Sequence, residues 1–237
     1  MFRHKGKTRT LKHNLRIASL LSFVAGIVNV AGFLAVQRLT TNVTGHFAFF
    51  VDEIFKLNFW QGFSYFLYIF FFFLGSFVSN LLVEIISKTS DRLIYIIPII
   101  IESTILFYLA VFGQFLIAQN PDLVAYSLLF AMGLQNSLVT TISNAAVRTT
   151  HLTGLFTDLG IELSQLLFYK QKDQKDKLYS SIKLRLTIIA FFFIGGLLGG
   201  VFYSTIKLYV LAIAATVLIV GIIYDDIKLK IMSQNGN

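Results

Sequence analysis

A chain of 237 residues with a mean hydropathy of +0.73, 56% hydrophobic and only 14% charged residues cannot clothe itself in polar surface, since a soluble domain carries about a quarter of its residues as charges. The net charge of +8 comes from Lys and Arg that flank apolar runs, which the positive-inside rule explains, so no nucleic-acid partner is expected. With no cysteine, disulfides, thiolate nucleophiles and thiolate metal sites are excluded.

The expected fold class is all-α, a polytopic membrane protein with six transmembrane helices, because roughly 20 apolar residues cross about 30 Å of hydrocarbon. A basic tail over residues 1–14 precedes the first span, Leu15–Val36, which carries Gly26-Ile27-Val28-Asn29. The loop Thr41-Asn42-Val43-Thr44-Gly45-His46-Phe47 then opens a short helix, His46–Leu57, whose Asp52, Glu53 and Lys56 make it too charged to cross alone. The second span is Phe59–Ile86, with Phe71-Phe72-Phe73-Leu74-Gly75-Ser76, and the third is Leu93–Ala118. The fourth, Leu123–Ile142, carries Gly133-Leu134-Gln135-Asn136. It is followed by Thr150-His151-Leu152-Thr153-Gly154-Leu155-Phe156 and a second short helix, Leu155–Phe168, with Asp158 and Glu162. A basic loop around Lys170–Lys183 leads to the fifth and sixth spans, Leu186–Ile206 and Leu208–Tyr224, expected as a tight antiparallel hairpin ahead of a tail over 225–237.

Three anchors recur in the same order, so residues 15–118 and 119–224 form two three-span repeats. Gly26–Asn29 matches Gly133–Asn136, the two T-x-x-T-G loops match with a glutamate six residues past each Phe (Glu53 and Glu162), and Phe71–Ser76 matches Phe191–Gly196. The offsets grow from 107 to 109 to 120, the last step falling on the basic insert. An odd number of spans per copy makes the second copy enter the membrane from the opposite side, the inverted arrangement of many secondary transporters. With both termini cytoplasmic, 17 Lys and Arg fall inside and three, Arg38, Lys56 and Lys207, outside. If both short helices crossed as well, the count would be 15 against five and the copies would be parallel. A cleaved signal peptide is disfavoured, because the first span has a counterpart in mid-chain.

Asn29 and Asn136, joined by Gln135, lie inside spans, where amides hydrogen-bond between helices or line a polar site. The threonine-glycine pairs suit helix starts capped by Thr44 and Thr153, and a helix start with free N–H groups attracts an anion or polar group. The candidate substrate-binding set is therefore Asn29, Thr41, Thr44, Gly45, Gln135, Asn136, Thr150, Thr153 and Gly154. Each short helix is either re-entrant or interfacial. Glu102, nine residues and about 13 Å into the third span, is a candidate proton-coupling group, or else a neutral carboxyl bonded to Ser103, Thr104 or a neighbouring helix. Gly75/Ser79 and Gly195/Gly199 are small-xxx-small patterns that bring the second and fifth spans together or make a homo-oligomer seam. His46 and His151 are not equivalent in the repeat, so no metal site is expected, nor any cofactor. No nucleophile–base pair or phosphate-cradling glycine loop is evident, so no enzyme is expected.

With these motifs in view, above all Arg148–Gly160, the chain from about Leu15 to about Tyr224 resembles the YoaK family of uncharacterised bacterial inner-membrane proteins, built on one domain of unknown function. The resemblance implies an inner-membrane location and a multi-pass fold but no activity. That family often has T-G-N in the first copy, where this chain has His46 after Gly45. The expected function is a secondary transporter or permease for a small polar or anionic solute. A membrane sensor or scaffold with a purely architectural repeat is the alternative.

Overall fold

The computed structural model describes residue 2 and residues 9–88 and 93–234, with side chains in the last helix described to Ile227. Residues 1 and 3–8 of the basic tail, residues 89–92 and the final residues 235–237 lie outside the described residues. Everything regular among the described residues is helical: α1 (Leu11–Val36), α2 (Thr44–Phe55), α3 (Phe59–Ser87), α4 (Leu93–Gln119), α5 (Pro121–Ser143), α6 (Leu152–Phe168), α7 (Lys172–Ile206) and α8 (Val210–Gln234), with a 3-10 turn at Lys207–Tyr209 before α8. Five segments are long and apolar enough to cross a membrane: α1, α3, α4, α5 and Lys172–Ile227, which holds α7, the turn and α8.

Two close helix pairs form the frame. Along α1 and α7, Phe23 meets Gly195, Gly26 meets Phe192 and Gly196, and Ile27 meets Gly199, so the two helices run in the same direction. Along α3 and α5, the rings of Phe71 and Tyr126 stack at 4.9 Å, Ser76 Oγ donates to the Gly133 carbonyl at 3.2 Å, and Thr141 donates to Asn80 at 3.4 Å; these also run parallel. By contrast, α1 and α5 are antiparallel, since the Gln135 amide donates to the Leu21 carbonyl at 3.2 Å while Gly32 meets Leu128. Both frame pairs cross at glycine. A methyl on Gly26 would strike the Phe192 carbonyl and one on Gly195 the Phe23 carbonyl; the same holds for Gly133 on Phe72 and Gly75 on Phe130. The small residues therefore seat the fifth span on the first and the second on the fourth, rather than the second on the fifth. Backbones this close need positions without a Cβ.

The short helices begin deep. Gln37 (φ 54°) and Asn144 (φ 53°), 107 residues apart, adopt the left-handed conformation that ends α1 and α5 and turns the chain back. Thr40 then donates to the Val28 carbonyl (3.3 Å) and Thr41 to the Asn29 side-chain oxygen (2.7 Å), eight and seven residues before α1 ends. The loop has thus returned about 10–12 Å along its own helix. In the second copy Thr149 donates to Asn136 Oδ1 at 3.2 Å, seven residues before the end of α5.

Helices α2 and α6 start at that depth with Thr44 and Leu152, so the expected caps Thr44 and Thr153 lie inside the first turn instead. The capping positions fall to Val43 and His151, and neither makes a side-chain cap bond. At the other end of α6, the predicted basic loop is mostly helix from Lys172 on. Leu178 and Ile182, one turn apart, pack on Leu159 and pull this polar stretch into register with the rest of α7. Past the turn at Lys207 (φ 53°) the chain comes back: Gly221 of α8 meets Leu20, below the level at which Gly195 meets Phe23. Helices α7 and α8 are antiparallel, but a cleft separates them, so the hairpin is looser than expected.

Candidate functional site

The two T-x-x-T-G loops, 109 residues apart in sequence, face one another across a cavity of about 250 Å³. Its walls include Thr41, Asn42 and Thr44 from the first loop, Arg148, Thr150 and His151 from the second, and Asn136, Thr140 and Phe72 from α5 and α3. The first turns of α2 and α6 bring uncapped backbone N–H groups to this region. Arg148 makes no hydrogen bond or ion pair among the described residues. Two positive helix ends and one unpaired guanidinium form a concave, electropositive wall, suited to an anion or a hydrogen-bond acceptor.

A small network holds the wall in place. Gln135, 1% exposed, donates to Thr149 at 3.1 Å as well as to the Leu21 carbonyl, while Thr149 donates to Asn136. Asn136 in turn donates to the Met132 carbonyl at 2.9 Å. Asn29 plays the matching part in the first copy by accepting from Thr41.

Of the expected set, Thr41, Thr44, Asn136 and Thr150 line the cavity, with Asn29 one bond behind Thr41 and Gln135 reaching Asn136 through Thr149. Gly45 packs on Leu39, Thr153 is exposed on α6, and Gly154 lines a neighbouring cavity. Glu102 lines none of these walls. It is 1% exposed in α4, and its Oε1 has no hydrogen-bond partner, so the expected bond to Ser103 or Thr104 is not made from that oxygen. Arg148, Thr149, Asn42 and Thr140 were not singled out as site residues by sequence. Arg148 offered one signal, a lone cation between a span and a T-G loop.

The neighbouring cavity, about 280 Å³, shares Arg148 and His151 with the first and extends past Gly154 to Asp158, Ser181 and Arg185. Here α6 is clasped to α7. Arg185 grips both oxygens of Glu162 (2.8 and 2.9 Å) and one of Asp158 (2.9 Å), and Ser181 donates to Glu162 at 2.6 Å. Burial works to raise the Glu162 carboxyl, but the bonds from Arg185 and Ser181 outweigh it and hold the group below the usual carboxylate range. Among the described residues no cluster of three His, Asp or Glu could hold a metal.

The equivalent space in the first copy is full. Under the repeat offsets Leu155, Asp158 and Arg185 correspond to His46, Phe49 and Tyr65. Phe49 stacks on Tyr65 at 5.2 Å, and the His46 ring lies 4.6 Å from Tyr68 and 6.1 Å from Tyr65. His46 also bonds the Leu39 carbonyl at 2.7 Å, and buried Tyr68 donates to Asp122. Where the second copy has the Arg185 clasp and an open pocket, the first has a plug of rings. Conversely, the places of His46, Tyr68 and Arg38 are taken in the second copy by Leu155, Ile188 and Val147, and that of Asp122, itself in the second copy, by Leu15 of the first; all four are aliphatic.

No curated protein and no solved structure matches the chain. Residues 17–224, and with them both loops, both frame pairs and the cavity between them, match a family described as a protein of unknown function (DUF1275). The chain belongs to that family of proteins of unknown function.

Proposed function

We propose that the chain is a permease of inverted-repeat architecture that moves a small polar or anionic solute across a membrane, without enzymatic activity. The observation that carries this reading is the cavity, with Thr, Asn, His and Arg side chains in its walls, in which loops from both copies meet beside an unpaired Arg148. A transporter needs its site near the midplane at the interface of its repeats, built from discontinuous helices with exposed N-termini. The depth of both loops, the antiparallel course of α1 and α5 and the parallel frame pairs support six crossings with α2 and α6 re-entrant. A bacterial inner membrane with both termini in the cytoplasm is part of the same proposal, drawn from the charge distribution.

The inequality of the two copies supports alternating access. The second cavity, walled in part by Arg148 and His151, gives a way out between α6 and α7, while rings fill its counterpart between α2 and α3. Transport would exchange these two arrangements. Glu102, buried without a partner for Oε1 though in the wall of neither cavity, is the proposed group that carries a proton with the solute.

The test is flux of labelled small anions, amino acids and polar solutes into proteoliposomes, with and without a proton gradient. Arg148→Gln is expected to weaken uptake of an anionic solute about 10- to 100-fold, the worth of one charge-assisted bond. Glu102→Gln is expected to abolish the response to the proton gradient while leaving exchange. Uptake that is the same with Arg148→Gln as without it, for every solute transported, would remove the site from this cavity. No uptake of any solute would favour the sensor or scaffold.

A further inference from the structure

The cleft between α7 and α8 lies outside the proposed solute site. It holds about 880 Å³ and is open on the flank of the bundle, with α1 as its floor. Its existence has a local cause that the repeat exposes. On the matching side of the bundle, where α5 is the floor, Tyr126 of α5 stacks on Phe71 of α3 and fills the corresponding angle. The corresponding residues are Ser19 and Phe191, so α1 in the first copy has a hydroxymethyl where α5 in the second has a ring. Ser19 turns its hydroxyl back to the Arg16 carbonyl at 3.0 Å, and Phe191 is left 38% exposed. On α8 the facing residues Ala212, Thr216 and Gly221 are small, which keeps the cleft open along its length.

The cleft is apolar except at one end. From Ala212 to Tyr224 the α8 wall rises over 12 residue steps, about 18 Å, close to the depth of one leaflet of a bilayer about 30 Å thick. At the Tyr224 end stands Arg16, ten residues or about 15 Å from the helix crossing at Gly26, hence at headgroup depth. Arg16 makes no ion pair or side-chain hydrogen bond among the described residues. A groove one leaflet deep, ending in a free guanidinium beside a tyrosine at the interface, has the charge and shape of a single lipid. A further apolar groove, along Gly196 and Gly200, has no charged residue in its walls and nothing that would select an occupant.

We propose that the α7–α8 cleft is a binding site for an anionic phospholipid, one acyl chain lying along Ser19, Phe191 and Thr216 and the headgroup phosphate paired with Arg16. The ligand is the lipid rather than a second copy of the chain, because the cation sits at one end of a slot the depth of one leaflet. The site is independent of solute transport.

The full chain, purified in detergent and stripped of lipid, is titrated with phosphatidylglycerol or with phosphatidylcholine of the same acyl chains. Bound lipid is counted by native mass spectrometry and thermal unfolding is followed in parallel. The wild type is expected to retain phosphatidylglycerol at least tenfold more strongly than phosphatidylcholine and to unfold at higher temperature with it. Arg16→Gln should hold both lipids alike. Ser19→Tyr, which copies the filled angle of the other repeat, should hold neither while still unfolding cooperatively; Ala212→Phe fills the same space from the opposite wall if that variant does not fold. Equal retention of the two lipids by the wild type, or undiminished phosphatidylglycerol on both filled variants, would overturn the proposal. So would a wild-type dimer that the filled variants split, which would make the cleft an interface between copies.

Discussion

Ala145 sits at φ 60° immediately after Asn144 at φ 53°, so the turn that sends the second loop back toward Asn136 holds two left-handed residues, one of them β-carbon-bearing without a polar side chain. Such a residue costs about 1–2 kcal/mol relative to a right-handed conformation, a cost glycine escapes. Ala145→Gly is therefore expected to raise stability by about 1 kcal/mol in a thermal or denaturant titration, less what glycine gains in the unfolded chain. An unchanged or lower stability would mean that the turn relaxes in the folded protein. At this scale the sequence was a good guide to one half of the site and a poor one to the other. Asn29, Gln135 and Asn136 were legible because an amide inside an apolar run has to find a partner. Thr149 and Arg148 were not, because loop residues carry no periodicity; their roles depend on the chain doubling back about 10 Å, which only the left-handed turns at Gln37 and Asn144 produce.

At the scale of helices, the frame rests on backbone contacts between α1 and α7 and between α3 and α5. A methyl at Gly26 has nowhere to go, since the atoms it meets are the Phe192 carbonyl and the Gly196 nitrogen, whereas one at Gly160 on α6 meets nothing within 4 Å. Gly26→Ala is expected to cost about 1–3 kcal/mol or more through forced separation of the helices, and Gly160→Ala to be neutral or stabilising by up to about 1 kcal/mol. Detergent stability of the two purified variants, compared side by side, checks this.

The α6–α7 clasp gives a pH dependence. The Glu162 carboxyl lies below its unfolded value of about 4.3, so its contribution is present in full above that pH and is lost as pH falls through the lower folded value. Protection factors across α6, corrected for the intrinsic rate, should fall in that acid window, and Glu162→Gln should show about 1–3 kcal/mol less local protection at neutral pH. The sequence flagged Glu53 and Glu162 as a repeated pair. It could not reveal that both tie a short helix down, one through Arg185 and the other through Asn58 Nδ2 at 2.8 Å.

For the whole molecule, the two proposed copies were read from the sequence because they share glycines, now found at the helix crossings, and threonines at the loops. What the sequence did not convey is how far the copies have diverged in the space between them. His46, Phe49 and Tyr65 fill one side; Asp158, Arg185 and an open cavity occupy the other. Those differences are single substitutions at matched positions and carry no pattern until the two copies are overlaid in space. The proposed alternating access rests on an inverted pair with unequal halves, and opposed orientation is the part open to a single measurement.

The chain has no cysteine, so one can be placed at Lys56, in the turn between α2 and α3, and another, separately, at Lys170, between α6 and α7. These two exposed positions lie at the far ends of the two short helices. Labelling of intact cells and of inverted vesicles with a membrane-impermeant thiol reagent should reach Lys56→Cys only from the outside and Lys170→Cys only from the cytoplasm. Labelling of both from the same face would make the copies parallel and contradict the inverted arrangement on which the proposed transport depends.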